Sequence, residues 1–271
     1  GLESRGLGDV YKRQVIAANS DRVVVFWSET NTESGSSSDQ DIVYSSSIND
    51  GTTWSDYDDV SEHYYEAFSG LPSLAYSGDF IYLVYMDNGD YDQENNPNGN
   101  DAADRDGDIY FQRSDDEGES WDSLKVLSLF DEDEENDLDY TSILLQYRTD
   151  VAATGNYVHV AWVDYDSYNG GYDIYYTKSS NNGNTWTTPE SVSTASSPGG
   201  VTIASSGSDV VIAWVDFGDV FHVSSSNNGN SWSSETEFDS LSTNLNYMPE
   251  IIHNEGKFHV IWSNTASGQS V

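Results

Sequence analysis

Short stretches of alternating apolar and polar residues recur along the chain. Each begins with an apolar residue, passes through a small polar turn and ends in an aromatic residue. The five copies are residues 15–27, 74–85, 151–162, 203–214 and 251–262. A period of two, rich in Val, Ile and aromatic residues, is typical of half-buried strands, and the Ser-Gly, Thr-Gly and Glu-Gly pairs are typical of hairpin turns. The pattern therefore predicts five β-hairpins.

A further strand and an eight-residue turn follow each of the first four hairpins. The strand-like runs begin at Asp41, Asp108, Asp173 and Asp219. The turns read SINDGTTW (47–54), SDDEGESW (114–121), SSNNGNTW (179–186) and SSNNGNSW (225–232). In every copy the Asp lies six residues before the first Ser of the turn and thirteen before its Trp. Identical offsets in four copies indicate one repeated unit.

The repeated unit reads as strand, hairpin turn, strand, variable loop, strand, octapeptide turn and a weaker fourth strand. We place that fourth strand in segments such as 124–130 and 190–194. Repeated four-stranded antiparallel units are typical of β-propeller blades. We therefore predict an all-β propeller with about four complete blades and the start of a fifth, and we expect the chain to be truncated at both ends.

The first residues differ from the rest. Ser4 to Gln14 reads SRGLGDVYKRQ, and the DNA string GATGTGTATAAGAGACAG, which resembles a sequencing adapter, translates to its last part, DVYKRQ. We interpret residues 1–14 as a non-native tail and residues 15–271 as one propeller domain.

Composition restricts the function. The chain has 47 acidic and 10 basic residues, a formal charge of −37 and no Cys. Such a charge repels nucleic acid and anionic membranes, and no apolar run is long enough to span a membrane. Most of the charge is typical of a solvated surface in a saline or extracellular setting, and calcium binding is the alternative. We expect no required cofactor, with Ca²⁺ as a candidate, and we leave the oligomeric state open.

The octapeptide turn resembles the Asp box, or BNR repeat, of the sialidase superfamily. The positions that match it are Ser47, Asn49, Gly51, Thr53, Trp54, Ser114, Asp116, Gly118, Ser120, Trp121, Ser179, Asn181, Gly183, Thr185, Trp186, Ser225, Asn227, Gly229, Ser231 and Trp232. The short polar side chains can accept backbone N–H groups, Gly permits a positive φ, and we expect Trp to pack under the next strand. The resemblance implies a sialidase-type propeller in which these boxes are structural and lie away from the active site.

Strand direction places the hairpin turns and the octapeptide turns on one face of each blade and the long insertions on the other. The resemblance puts a sialidase active site on the insertion face. Our candidate ligand-face residues there are Asp87, Arg105, Arg148, Asp164 and Asp216. Glu29 and Asn264 hold the position of Asp87, Asp164 and Asp216 in two other copies. This recurring position is either a turn cap or part of a polar rim that binds a sugar or a cation.

The insertion at 86–108 is a candidate calcium loop. Its candidate ligands are Asp90, Asp92, Asp104 and Asp106. The spacing does not fit an EF-hand, and a solvated acidic loop is the alternative.

Arginine content bears on catalysis. The resemblance implies three Arg that hold the substrate carboxylate, a Tyr–Glu pair and an acid/base Asp, but outside the tail the chain has only Arg22, Arg105, Arg113 and Arg148. Arg22 and Arg113 fall on the turn face. We therefore assign no catalytic residue and favour a non-catalytic binding or surface module, with glycans as candidate ligands. The alternatives are an exo-sialidase-type glycoside hydrolase whose catalytic residues lie largely in missing blades, and a structural repeat of a larger surface adhesin.

Overall fold

A computed structural model describes residues 14–19, 21–30, 40–61, 69–87, 108–116, 118–128, 149–166, 171–195, 197–239 and 246–264. All regular secondary structure in these ranges is β-strand. The first blade contains β1 (Gln14–Ala18), β2 (Val23–Thr30), β3 (Gln40–Ser47) and β4 (Asp58–Asp59). The second contains β5 (Ser69–Ser77), β6 (Phe80–Asp87), β7 (Asp108–Ser114) and β8 (Lys125–Val126).

The third blade contains β9 (Thr149–Thr154), β10 (Tyr157–Asp166), β11 (Gly171–Ser179) and β12 (Glu190–Ser191). The fourth contains β13 (Pro198–Ser206), β14 (Asp209–Asp216), β15 (Asp219–Ser225) and β16 (Thr236–Asp239). A fifth hairpin follows, with β17 (Asn246–Asn254) and β18 (Lys257–Asn264). Each four-stranded sheet keeps the chain order of its strands, and all pairs are antiparallel. The predicted repeat of four sheets and a fifth hairpin is confirmed, and β1 begins one residue before the predicted domain boundary.

The first strands of the blades lie side by side. β5 contacts β1 and β9, and β13 contacts β9 and β17. The inner edges of the sheets therefore meet along a common axis. Three of the apolar core clusters each combine residues from two consecutive blades, so the core lies between the blades.

The fourth strand is shorter than the sequence predicts, since β8 and β12 have two residues each. In the first three blades a serine hydroxyl continues the pairing where the fourth strand ends. In the second blade Leu127 N–H donates to Ile109 O, and Ser128 Oγ accepts the N–H of Ile109 at 2.9 Å. Ser61 and Ser193 do the same for Ile42 at 2.7 Å and Ile174 at 3.1 Å. The predicted segments 124–130 and 190–194 contain β8 and β12, which cover two residues of each, and residues 129 and 130 lie outside the described residues.

The Asp that begins the third strand holds this serine in place. Ser128 Oγ donates to Asp108 Oδ1 at 2.7 Å. In the third blade Ser191 and Ser193 both donate to Asp173. The recurring Asp therefore connects the start of the third strand to the end of the fourth.

Replacing Ser128 with alanine should lower the free energy of unfolding by about 1–3 kcal/mol, because the buried N–H of Ile109 loses its acceptor. Urea denaturation measures this loss. A double-mutant cycle with Asp108→Ala should give a coupling energy of about 1 kcal/mol, and additive losses would contradict the contact.

The Trp of each octapeptide turn packs against the preceding blade. Ring centroids of Trp121 and Phe26 are 5.3 Å apart, those of Trp186 and Phe111 are 4.8 Å apart, and those of Trp232 and Tyr176 are 4.8 Å apart. All three pairs meet edge to face. In the first blade Trp54 is 44% exposed. The ring therefore joins two blades, and Trp121 shares its apolar cluster with Leu124 and Val126 of its own blade as well.

Candidate functional site

A cavity of about 460 Å³ lies where the first strands of all five repeats meet. One lining residue from each strand is Val15, Ser73, Asp150, Val201 and Glu250. We call this space the axial cavity. Its position on the inner edges of the sheets makes it the point to which every repeat contributes.

The column of residues at the axis has a fixed position in the repeat. Each member lies twelve residues before the aromatic residue at the end of the recurring hairpin pattern. The members are Val15, Ser73, Asp150, Thr202 and Glu250. Strand pairing agrees with this spacing, because the preceding residues Gln14 and Thr149 pair with Trp27 and Trp162. Sequence reasoning missed this column, although the constant offset and its polar members were a signal that could have revealed it.

Asp150 connects three blades at the axis. Its Oδ1 accepts the hydroxyl of Ser73 at 2.5 Å, and its Oδ2 accepts the Thr202 hydroxyl at 3.0 Å and the N–H of Ile203 at 2.9 Å. Burial raises the pKa of Asp150, these hydrogen bonds oppose the rise, and the charge of Glu250 adds to it. Asp150 and Glu250 are thus two neighbouring carboxyl groups at the axis, and hydrogen bonds from the adjacent blades hold Asp150 in place.

The axial cavity is lined by hydrogen-bonding groups, and its described lining residues include no Lys, Arg or His. Thr149 is buried, lines the cavity, and its Oγ1 has no hydrogen-bond partner in the described part of the chain. Glu250 is exposed to solvent. The oxygens of Asp150 already accept four hydrogen bonds, so Glu250 is the exposed carboxylate at which the cavity can accept a hydroxyl donor.

The predicted ligand-face acids lie at the ends of the second strands and pair with the acids that begin the third strands. Asp87 faces Asp108 in the register. Asp164 faces Asp173, and Asp216 pairs with Asp219. They are distributed one per blade instead of being gathered in one pocket.

These acids have partners within their own blades. Asp87 is buried and accepts the hydroxyl of Ser69. Asp164 accepts the indole N–H of Trp162 at 2.9 Å, and Asp216 accepts the N–H of Ser197 at 2.9 Å. These contacts favour the structural interpretation of the recurring acid.

The calcium candidates Asp90, Asp92, Asp104 and Asp106 and the ligand-face candidates Arg105 and Arg148 lie outside the described residues. In the chain segments that are described, no three His, Asp or Glu side chains form a group that could hold a metal ion. Calcium binding at 86–108 stays a prediction.

The octapeptide turns share one hydrogen-bond pattern. The first Ser accepts the N–H of the Gly, at 2.9 Å for Ser47 and Gly51 and at 2.7 Å for Ser114 and Gly118. The third residue accepts the N–H of the residue before Trp, as Asn49 does from Thr53 at 2.8 Å. Burial opposes the charge of Asp116, but hydrogen bonds from its own turn outweigh it and lower its pKa to about 2. In each turn, the first Ser and the third residue thus accept backbone N–H groups of the same turn.

Most of the described basic side chains bind the turn of the next blade. Arg22 pairs with Glu119 at 3.1 Å, and Arg113 donates to the carbonyl oxygen of Asn182. Lys125 and Lys178 reach the third and fourth turns in the same way. Arg22 and Arg113 therefore join blades on the turn face, away from the insertions.

Within the described residues no helix is long and apolar enough to cross a membrane. No protein-family model matches the sequence, and no curated protein matches it.

Solved structures of sialidases and trans-sialidases share the fold. NanB sialidase from Streptococcus pneumoniae matches 95% of this chain and 57% of its own with a TM-score of 0.62 and 15% identity. The intramolecular trans-sialidase from Ruminococcus gnavus matches 96% of this chain and 78% of its own, with a TM-score of 0.60 and 13% identity. Trypanosoma rangeli sialidase matches 93% of this chain and 43% of its own, with a TM-score of 0.57 and 16% identity. The chain thus spans 57% of the NanB structure and has a sialidase-type fold, which confirms the predicted β-propeller.

Proposed function

We propose that this sialidase-like propeller is a non-catalytic binding module for neutral carbohydrate and that the axial cavity is its binding site. The observation that supports this most strongly is the lining of the cavity, in which carboxylates and hydroxyls occur without a described basic residue. Neutral sugars present many hydroxyl donors, which carboxylates and side-chain hydroxyls can bind.

The size and polarity of the axial cavity fit one or two sugar rings. Its volume of about 460 Å³ falls within the usual range of small-molecule sites. Glu250 is an exposed acceptor at the cavity, and Asp150 lies deeper, held by Ser73 and Thr202.

The same groups disfavour an anionic sugar acid. A carboxylate ligand is held best by the planar fork of arginine. Asp150 and Glu250 would instead repel it, and the formal charge of −37 adds to this repulsion at long range. The hydrolase alternative therefore depends on residues beyond the described cavity.

The charge also supports a setting outside the cell. A protein with 47 acidic and 10 basic residues repels itself strongly at low salt, and salt screens this repulsion. We propose an extracellular or surface-bound domain in saline surroundings, where glycans are accessible. Calcium is a candidate ligand of the insertion at 86–108 and is not required for this proposal.

Titration calorimetry with neutral oligosaccharides and with sialyllactose tests the proposal. We expect a neutral sugar to bind, sialyllactose to bind at least about tenfold more weakly, and Glu250→Gln to weaken the neutral sugar by about three- to tenfold through loss of a charge-assisted hydrogen bond.

Glu255→Gln is the matched control, because Glu255 is exposed in the hairpin turn of the same strand pair. It should leave the affinity unchanged. Tighter binding of sialyllactose than of every neutral sugar, or turnover of a fluorogenic sialoside, would reject the non-catalytic proposal.

A further inference from the structure

A second cavity, of about 410 Å³, opens between the first and second blades. It shares no lining residue with the axial cavity. Its walls include the rings of Tyr44 and Trp121 and the carboxylates of Asp58 and Glu119. We call this space the first cleft. We call the corresponding regions between the second and third blades and between the third and fourth blades the second cleft and the third cleft.

In the second cleft the chain supplies its own ammonium group. Lys125 pairs with Phe111 at the outer edge of the second blade. Its Nζ crosses to the third octapeptide turn and donates to the carbonyl oxygens of Gly183 at 2.7 Å and Asn184 at 3.1 Å. The lysine stem thus spans the space between two blades.

The third cleft also contains a lysine, from a different strand position. Lys178 Nζ donates to the carbonyl oxygen of Asn228 at 2.8 Å and to Asn230 Oδ1 at 2.6 Å. The position that holds Lys125 in the second blade here holds Glu190, which pairs with Tyr176. Two successive clefts therefore receive an ammonium group that binds the next turn.

The first cleft has the opposite charge at the corresponding positions. Asp58 pairs with Tyr44 where Lys125 pairs with Phe111. Ser46 stands where the third blade has Lys178, as shown by their partners Val24 and His159.

Arg22 reaches one edge of the first cleft, where its Nη atoms contact Ser46 and Glu119. The side of the cleft next to Asp58 receives no such cation from the described strands, and the cavity lies there. Burial raises the pKa of Tyr44, and the charges of Asp58 and Asp116 add to the rise, while Trp121 and Arg22 oppose it.

We propose that the first cleft binds a primary ammonium group on an apolar stem, the chemistry of a lysine side chain, supplied by another molecule. The stem lies against Tyr44 and Trp121, which line the cavity and meet edge to face with ring centroids 5.7 Å apart, and aromatic faces attract cations. The ammonium group meets the carboxylates of Asp58 and Glu119. The incoming group thus takes the place that Lys125 and Lys178 take in the next two clefts.

The full chain can be tested with N-acetyl-lysine methylamide as the probe and N-acetyl-norleucine methylamide as its neutral analogue. Indole N–H signals in NMR titrations report binding, with the Trp121 signal assigned from Trp121→Phe. We expect the lysine probe to shift the Trp121 signal and to bind at least about tenfold more tightly than the norleucine analogue.

Asp58→Lys should fill the cleft as Lys125 does and abolish probe binding, and Asp58→Asn should weaken it by about three- to tenfold while changing the shape little. Glu190→Lys is the matched control, because it adds the same charge at the same repeat position in the third blade. It should leave binding at Trp121 unchanged.

Equal affinity for the lysine and norleucine probes would overturn the proposal. So would wild-type affinity of the lysine probe for Asp58→Lys or Asp58→Asn. Glucosamine serves as a third probe, and tighter binding of this amino sugar than of the lysine probe would overturn the requirement for an apolar stem.

Discussion

Replacing Gly229 with alanine is expected to lower the free energy of unfolding by about 2–5 kcal/mol. Gly229 has a φ of +68°, where a Cβ costs about 1–2 kcal/mol. A Cβ there would also lie 2.0 Å from the hydroxyl oxygen of Tyr176 and 2.6 Å from its Cζ. Tyr176 is buried in the core between the third and fourth blades, so its ring cannot move away freely. Overpacking of this kind adds about 1–3 kcal/mol.

Gly51→Ala is the matched control for this prediction. Gly51 occupies the same position of the first octapeptide turn with a φ of +75°, but the nearest atom to its Cβ is Trp54 Cζ2 at 3.6 Å. This variant should therefore lose only the backbone contribution, about 1–2 kcal/mol. Urea denaturation of both variants measures the difference. Equal losses would show that the contact with the preceding blade contributes little to stability.

The sequence predicted the blades well because two local signals agreed. Period-two alternation set the strands, and the constant distance from Asp41 to Ser47 and Trp54 set the register of the third strand and its turn in every copy. Both signals act within one blade. The contacts of Trp186 and Trp232 lie between blades, and no local pattern states which blade a projecting ring will meet.

The two cavities were harder to predict for the same reason. Alternation shows that Asp150 and Glu250 lie on strands, but only the convergence of the first strands brings them to one cavity. The charge of the first cleft follows from a difference between repeats, because Asp58 occupies the position that Lys125 occupies in the second blade. Alignment of the blades by register, position by position, would have revealed both. Most of the predicted ligand candidates lie in the insertions and outside the described residues.

The stability of the protein should fall as the pH decreases from about 6.5 to about 4, with a contribution of about 3 kcal/mol from His159. The side chain of His159 has 0% exposure, and its Nδ1 lies 2.7 Å from the hydroxyl of Tyr176. Burial, with a smaller contribution from the charge of Lys178, lowers the pKa of His159 to about 4. Unfolding exposes the imidazole and returns its pKa to about 6.5.

The direction of the effect follows from proton binding. Above pH 6.5 the imidazole is neutral in both states and contributes no pH dependence. Between the two pKa values the unfolded state binds a proton that the folded state does not, so acid favours unfolding. Below pH 4 both states bind it, and the loss is complete at about 1.4 kcal/mol per pKa unit. Asp150 has the opposite effect on the pH dependence of stability, because burial raises its pKa. The contribution of His159 is therefore measured as the difference between the pH profiles of two variants.

The informative comparison is Tyr176→Phe with the double variant His159→Val, Tyr176→Phe. Val24 and Val211 occupy the position of His159 in the first and fourth blades, and Phe111 occupies that of Tyr176 in the second. The substitutions therefore use residues that the repeat already accepts. Urea midpoints measured from pH 7.5 to pH 4 should fall less steeply for the double variant. His259→Val should leave the profile unchanged, because His259 occupies the same repeat position but is exposed in the folded protein. Parallel profiles for the single and double variants would exclude His159 as the source of acid sensitivity.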